Sequence, residues 1–158
     1  MALTEDVQLE IFAAARAGDL DELKTLVDGL EPSDLLKVVN EYTQATPLHY
    51  AAANGHDDCV EYLLKVIESN AELQPLVNAR NDSGNTPVHW AALNGHLETV
   101  KLLCEHQADP LLKNEAGHDA YYEAESNDHE DIVDYLLEKF EILPEDDDEE
   151  EEAQPNGN

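Results

Sequence analysis

The residues best suited to chemistry in this chain are seven histidines and two cysteines. Neutral imidazole and thiolate are metal ligands, and a cysteine beside a histidine is a nucleophile pair. The spacing supports neither use. There is no CxxC, HxxxH or HExxH pattern, so no metal site is predicted. His89 and Cys104 can be paired on paper, but no third residue orients them. Cys59 and Cys104 both fall in apolar helical patterns and out of register with each other, which predicts buried free thiols in a reduced compartment. Every glycine falls at a turn or a helix end, so no phosphate-cradling loop remains. The expectation is a protein with no catalytic residues and no cofactor, and not an enzyme.

The histidines belong instead to a repeat. Thr46 to His56 reads TPLHYAAANGH and Thr86 to His96 reads TPVHWAALNGH, with three of the eleven positions different. Thr46 and Thr86 suit the start of a helix, where a side-chain oxygen accepts from free N–H groups. Pro47 and Pro87 follow at the first helical position, where a missing N–H is harmless. The Ala51-Ala52 and Ala91-Ala92 pairs let neighbouring helices approach closely. Gly55 and Gly95 end the first helix in a left-handed turn. His56 and His96 open a second helix with apolar residues at helical spacing: Val60, Leu63 and Leu64, then Val100, Leu102 and Leu103. Threonine-proline-leucine-histidine-x-alanine at a fixed period is the signature of ankyrin repeats. His49, His56, His89 and His96 are then expected to tie neighbouring loops together.

Weaker copies flank the two strong ones. Ala17-Gly18-Asp19 and Asn127-Asp128-His129 align with Asn-Gly-His, but both flanks lack the Thr-Pro-Leu-His string. Terminal repeats show water a face that inner repeats bury, so degeneracy there is expected. Glu5, Gln8 and Asp21 could occupy that face at one end. Glu125, at the second-alanine position, could do so at the other. The fold predicted is all-α: a solenoid of four repeats with degenerate end caps, spanning 1–144. His49 and His89 lie 40 residues apart, beyond the usual spacing of about 33. The excess falls in Val66 to Asn78, where the second helix should break near Asn70 and restart before Pro75. Pro32-Ser33-Asp34 followed by LLKVV reads as a capped short helix. Both insertions are expected on the second-helix side.

Charge is the second signal. There are 37 acids and 8 bases, a net charge of −29. Glu145, Asp146, Asp147, Asp148, Glu149, Glu150, Glu151 and Glu152 form an unbroken run, and 145–158 is expected to be a disordered acidic tail. From Gly117 to Pro144 there are nine acids and one base, Lys139. A field of this sign repels nucleic acid and anionic membranes and attracts basic proteins. No apolar run is long enough to span a membrane, and no signal-peptide pattern is present.

Ankyrin arrays bind partners along a concave face built from first helices and loop tips. Candidate contacts are Tyr42, Thr43, Tyr50 and Asn54 in the second repeat, Asp82, Asn85, Trp90 and Asn94 in the third, and Glu115, Glu123 and Asn127 in the fourth. Tyr50 and Trp90 share a slot that either packs or anchors a ligand, and Glu123 takes that slot in the last repeat. A groove running from aromatic to acidic suits a basic amphipathic helix.

Several strings carry a closer resemblance: ARAGDLDELK from Ala14, AAANGH from Ala51, GNTPVHWAALNGH from Gly84, VKLLCE from Val100, NEAGHDA from Asn114 and PEDDDEE from Pro144. Over nearly its whole length the chain resembles the fungal ankyrin-repeat chaperones of a basic small-subunit ribosomal protein, the KH-domain protein S-three. The resemblance implies a chaperone that holds that client soluble, keeps it from premature RNA contact and travels between cytoplasm and nucleus; a monomer is expected. Family members extend further after the acidic run, whereas this sequence stops at Asn158. Two other functions remain open: a generic ankyrin adaptor or inhibitor of a regulatory protein, and a histone chaperone using the same acidic tail.

Overall fold

The computed structural model describes residues 1–140; the run from Glu145 and the boundary at Pro144 lie outside the described residues. Eight α-helices form four antiparallel pairs: α1 (Glu5–Ala17) with α2 (Leu20–Asp28), α3 (Pro47–Ala53) with α4 (Asp57–Glu68), α5 (Pro87–Leu93) with α6 (Leu97–Glu105), and α7 (Ala120–Ser126) with α8 (Glu130–Phe140). Among the described residues there is no strand. First helices stack on first helices and second on second, which makes a linear array of four repeats.

The inner repeats start their helices through a reciprocal lock. The Thr46 hydroxyl oxygen accepts from the His49 N–H at 3.4 Å, and the Thr46 N–H donates to His49 Nδ1 at 3.1 Å. Thr86 and His89 repeat this at the same two distances. Because Nδ1 accepts, Nε2 carries the proton, and it donates to a carbonyl of the following repeat. His49 reaches Asn85 O at 2.8 Å and His89 reaches His118 O at 2.9 Å. A second set of straps points backwards: His56 Nε2 donates to Arg16 O at 2.9 Å and His129 Nε2 to Leu93 O at 3.0 Å. Each backward ring lies against a tight turn. Gly55 has φ +70°, and a Cβ there would sit 2.7 Å from His96 Nδ1, so only glycine serves both the turn and the ring.

The alanine pairs Ala51-Ala52 and Ala91-Ala92 are fully buried between first helices, with Val60, Leu64, Val100 and Leu103 fully buried beneath them. Leu102 is half-buried at the edge of this core. At the array ends the lock is replaced. Phe12 occupies the histidine slot of the first repeat, and Asp119 caps α7 by accepting from the Tyr122 N–H at 2.8 Å. Glu125 is exposed in the second-alanine slot, as an end repeat requires.

The insertions are 3₁₀ segments, Pro32–Lys37 and Ala71–Asn78, the latter entered from Asn70 and containing Pro75. They touch each other, and the longer one packs on α4, so they lie on the second-helix side. The first differs from the expected capped helix: Glu31 precedes it with no side-chain cap, and Pro32 supplies the preset φ instead.

His49 makes stability depend on pH. Its burial lowers its pKa to about 4 from an ordinary value near 6.5, because the buried ring has no water to stabilise a charge. Between those values the unfolded chain binds a proton that the folded chain does not, so stability is full above pH 6.5 and falls as pH falls towards 4. His49→Gln removes this titration while the acids still affect both proteins alike. Urea unfolding at pH 7.5 should show the variant less stable by about 1–3 kcal/mol. The gap should shrink by about 2 kcal/mol at pH 5. A gap independent of pH would mean that His49 titrates in the fold as it does in the open chain.

Candidate functional site

First helices pack on one another more closely than second helices do, so α1, α3, α5 and α7 form one continuous layer, which is the inner face of an ankyrin array. That inner face carries an aromatic stripe. Phe12 meets Tyr50 edge-on with ring centroids 5.5 Å apart, and Tyr50 meets Trp90 at 5.7 Å. His49 supports Trp90 from behind at 5.1 Å. Tyr50 and Trp90 are both half-buried, so each ring packs with one part and offers the other to a ligand. The Arg16 guanidinium sits 4.8 Å above the Tyr50 ring.

Loop tips continue this face and are tied to one another. Asp82 N–H donates to Thr43 O at 2.8 Å, and Glu115 N–H donates to Ser83 O at 3.0 Å. The side chains of Asp82, Glu115 and Tyr42 remain exposed, Tyr42 at 80%. Three asparagines that the sequence reading passed over build these tips. Asn40 Oδ1 accepts from the N–H groups of Tyr42 and Thr43, Asn81 Oδ1 from Ser83 and Asn85, and Asn114 Oδ1 from Ala116 and His118. A signal existed in the sequence: Asn81 and Asn114 each stand three residues before a glycine.

The structure gives several of the candidate contacts an internal partner as well. Asn54, Asn94 and Asn127 each donate from Nδ2 to a carbonyl one turn back, at 3.0, 3.0 and 2.8 Å, which closes the first helices. Asn85 Oδ1 accepts from Asn114 Nδ2 at 2.8 Å. Glu123 accepts from Asn114 Nδ2 at 3.1 Å and lies 3.5 Å from His118 Nδ1, leaving its side chain 16% exposed. Tyr122 stacks on His118 with centroids 3.7 Å apart and lies 44% exposed beside it.

Both helix layers are net acidic, but their bases are unevenly placed. Lys24, Lys65, Lys101 and Lys139 lie one on each second helix, whereas α3, α5 and α7 carry no Lys or Arg. Two of the four, Lys65 and Lys101, stand 3.8 Å from Glu61 and Glu98 on their own helices. Among the described residues Glu5, Asp6 and Glu10 on α1, with Glu41, Asp82 and Glu115 at the tips, make no ion pair: Arg16 is seated on Tyr50, Arg80 donates to Gly84 O and Lys113 O, and Lys113 is exposed beside them. Among the described residues no three His, Cys, Asp or Glu side chains converge on a metal position. Burial pushes the Cys59 thiol up to about 11 and the Cys104 thiol up to about 12, so neither is a thiolate at neutral pH.

Comparison with known proteins agrees with this geometry. The family "Ankyrin repeats (many copies)" matches residues 48–104, and "Ankyrin repeats (3 copies)" matches 10–75. The ankyrin repeat-containing protein YAR1 of Saccharomyces cerevisiae is 48% identical over 98% of this chain and 79% of its own length. The protein fem-1 homolog C of Xenopus laevis is 38% identical over 46% of this chain and 12% of its own length. A chain in the crystal structure of yeast ribosomal protein Rps3 in complex with its chaperone Yar1 superposes with a TM-score of 0.85 at 42% identity, covering 90% of this chain and 99% of that one.

Trp90 is the only tryptophan in the chain, so its fluorescence reports on the groove alone. A ligand docking along the inner face should move its emission to shorter wavelength and lower its quenching by iodide. A bound ligand that changed neither would place recognition away from Trp90.

Proposed function

The chain belongs to the ankyrin-repeat family that includes yeast Yar1, and from that premise we propose that it chaperones a newly made small-subunit ribosomal protein of the Rps3 type. The observation that carries this reading is the inner face itself: an aromatic stripe of Phe12, Tyr50 and Trp90, on first helices of which α3, α5 and α7 carry no Lys or Arg, bordered at the tips by the exposed carboxylates of Asp82 and Glu115. A basic amphipathic helix fits such a face, with its apolar side on Tyr50 and Trp90 and its cations towards Asp82 and Glu115. Asn54, Asn94 and Asn127 offer exposed amides at the rim, while Thr43, Asn85 and Glu123 hold the tips in register. The protein acts by binding and not by catalysis; both of its thiols are held protonated, and its inner histidines are consumed by the straps. It works as a monomer and travels with its client from cytoplasm to nucleus.

The acidic run from Glu145 to Glu152 adds long-range attraction for a basic client. It raises the association rate and competes with RNA for the client. Full-length protein and a chain cut after Pro144 should both capture the Rps3-type protein, and not histones or a regulatory protein, from lysate. In stopped-flow measurements across a salt series, the cut chain should associate more slowly and with a shallower salt slope. It should also lose the client more readily to added RNA. Capture of histones instead would replace this function with a histone chaperone. Loss of all capture on cutting would move specificity from the groove to the tail.

A further inference from the structure

The first loop tip has only one neighbour. On one side Thr43 O accepts from Asp82, and among the described residues no other loop tip packs on its other side. In place of that missing tip, α1 starts early: it is 13 residues long, whereas α3, α5 and α7 have 7 each. The extra turns leave a groove of about 350 Å³ between α1 and the tip. Glu5, Leu9 and Phe12 line one wall, spaced to share a helix face, and Val39, Glu41 and Tyr42 line the other. Leu9 is 61% exposed and Tyr42 80%, an unusual exposure for two large apolar side chains facing each other. No Lys or Arg lines the groove, and its two charged residues are both carboxylates. Phe12 forms its floor and also touches Tyr50, so the groove continues the aromatic stripe.

We infer that this groove is the end anchor of the client-binding face, and that it takes a large apolar side chain of a basic segment of the client. The inference rests on the client assignment proposed above. Apolar contact with Leu9 and Tyr42 retains the segment, and Glu5 and Glu41 select for flanking cations. The occupant is a basic one because both charged residues of the groove are carboxylates, and the groove opens onto first helices of which α3, α5 and α7 carry no Lys or Arg.

The test is a binding titration of the full chain against a purified Rps3-type protein, with the double variant Leu9→Ser/Tyr42→Ser beside wild type. Both side chains are exposed, so the unfolding midpoint should not move. The dissociation constant should rise at least about tenfold, through faster dissociation. The pair Glu5→Gln/Glu41→Gln should mainly slow association, and only at low salt. A folded Leu9/Tyr42 variant with wild-type affinity overturns this inference and leaves the proposed function standing. Failure of the wild-type chain to bind the client at all overturns both. A change in the variant's own oligomeric state by sedimentation would make the groove a contact between copies and overturn the inference as well.

Discussion

The array depends on one constraint: a buried imidazole must stay neutral and spend both nitrogens. His49 and His89 close their own helix with Nδ1 and hold the next repeat with Nε2. Each ring therefore couples local helix formation to contact between repeats. In a stack where every unit touches only its neighbours, such coupling is what makes several short helices fold as one body. Helices of seven residues are too short to persist alone, so α3, α5 and α7 exist because the stack holds them.

The ends show what the straps are for. Tyr122 stands in the histidine slot of the last repeat, where no described repeat follows to be strapped, and it stacks on His118 instead. Phe12 stands in that slot of the first repeat and passes its ring to Tyr50, just as His49 passes its ring to Trp90. The same geometry thus serves two ends. Behind the face it fastens repeats, and on the face it lines up the aromatic rings that a ligand meets.

The inner repeats were legible in the sequence because their geometry is set by residues a few positions apart. Thr46, Pro47 and His49 form a closed local unit, and so do Thr86, Pro87 and His89. What was not legible depends on partners far along the chain. Glu123 looks like a groove carboxylate in sequence, yet it is held by Asn114 and His118. Asn85 reads as a tip contact, yet its amide oxygen is engaged by Asn114, 29 residues away. Gln44 and Asp128 adopt left-handed backbone, with φ 65° and 64°, in slots where other repeats place glycine. Nothing local marks them, because the turn is imposed by the flanking helices and the residue merely tolerates it. Leu9 was hidden for a related reason: its exposure depends on how α1 stands against Val39 and Tyr42, some thirty residues away.

The acid excess has its own energetic logic. Lys65 and Lys101 pair with carboxylates on their own helices, and exposed pairs of that kind contribute little to stability. They offset only part of the charge there: the second helices carry thirteen carboxylates against four lysines, so both helix layers remain net acidic. An unbalanced acidic face is held together against its own repulsion by the neutral straps and the alanine seams, neither of which depends on salt. A basic partner that relieves this repulsion gains affinity without asking the face to change shape. The scaffold can then remain preformed, and under the proposed function selectivity falls to the apolar residues that break the acidic surface: Leu9, Tyr42, Tyr50 and Trp90.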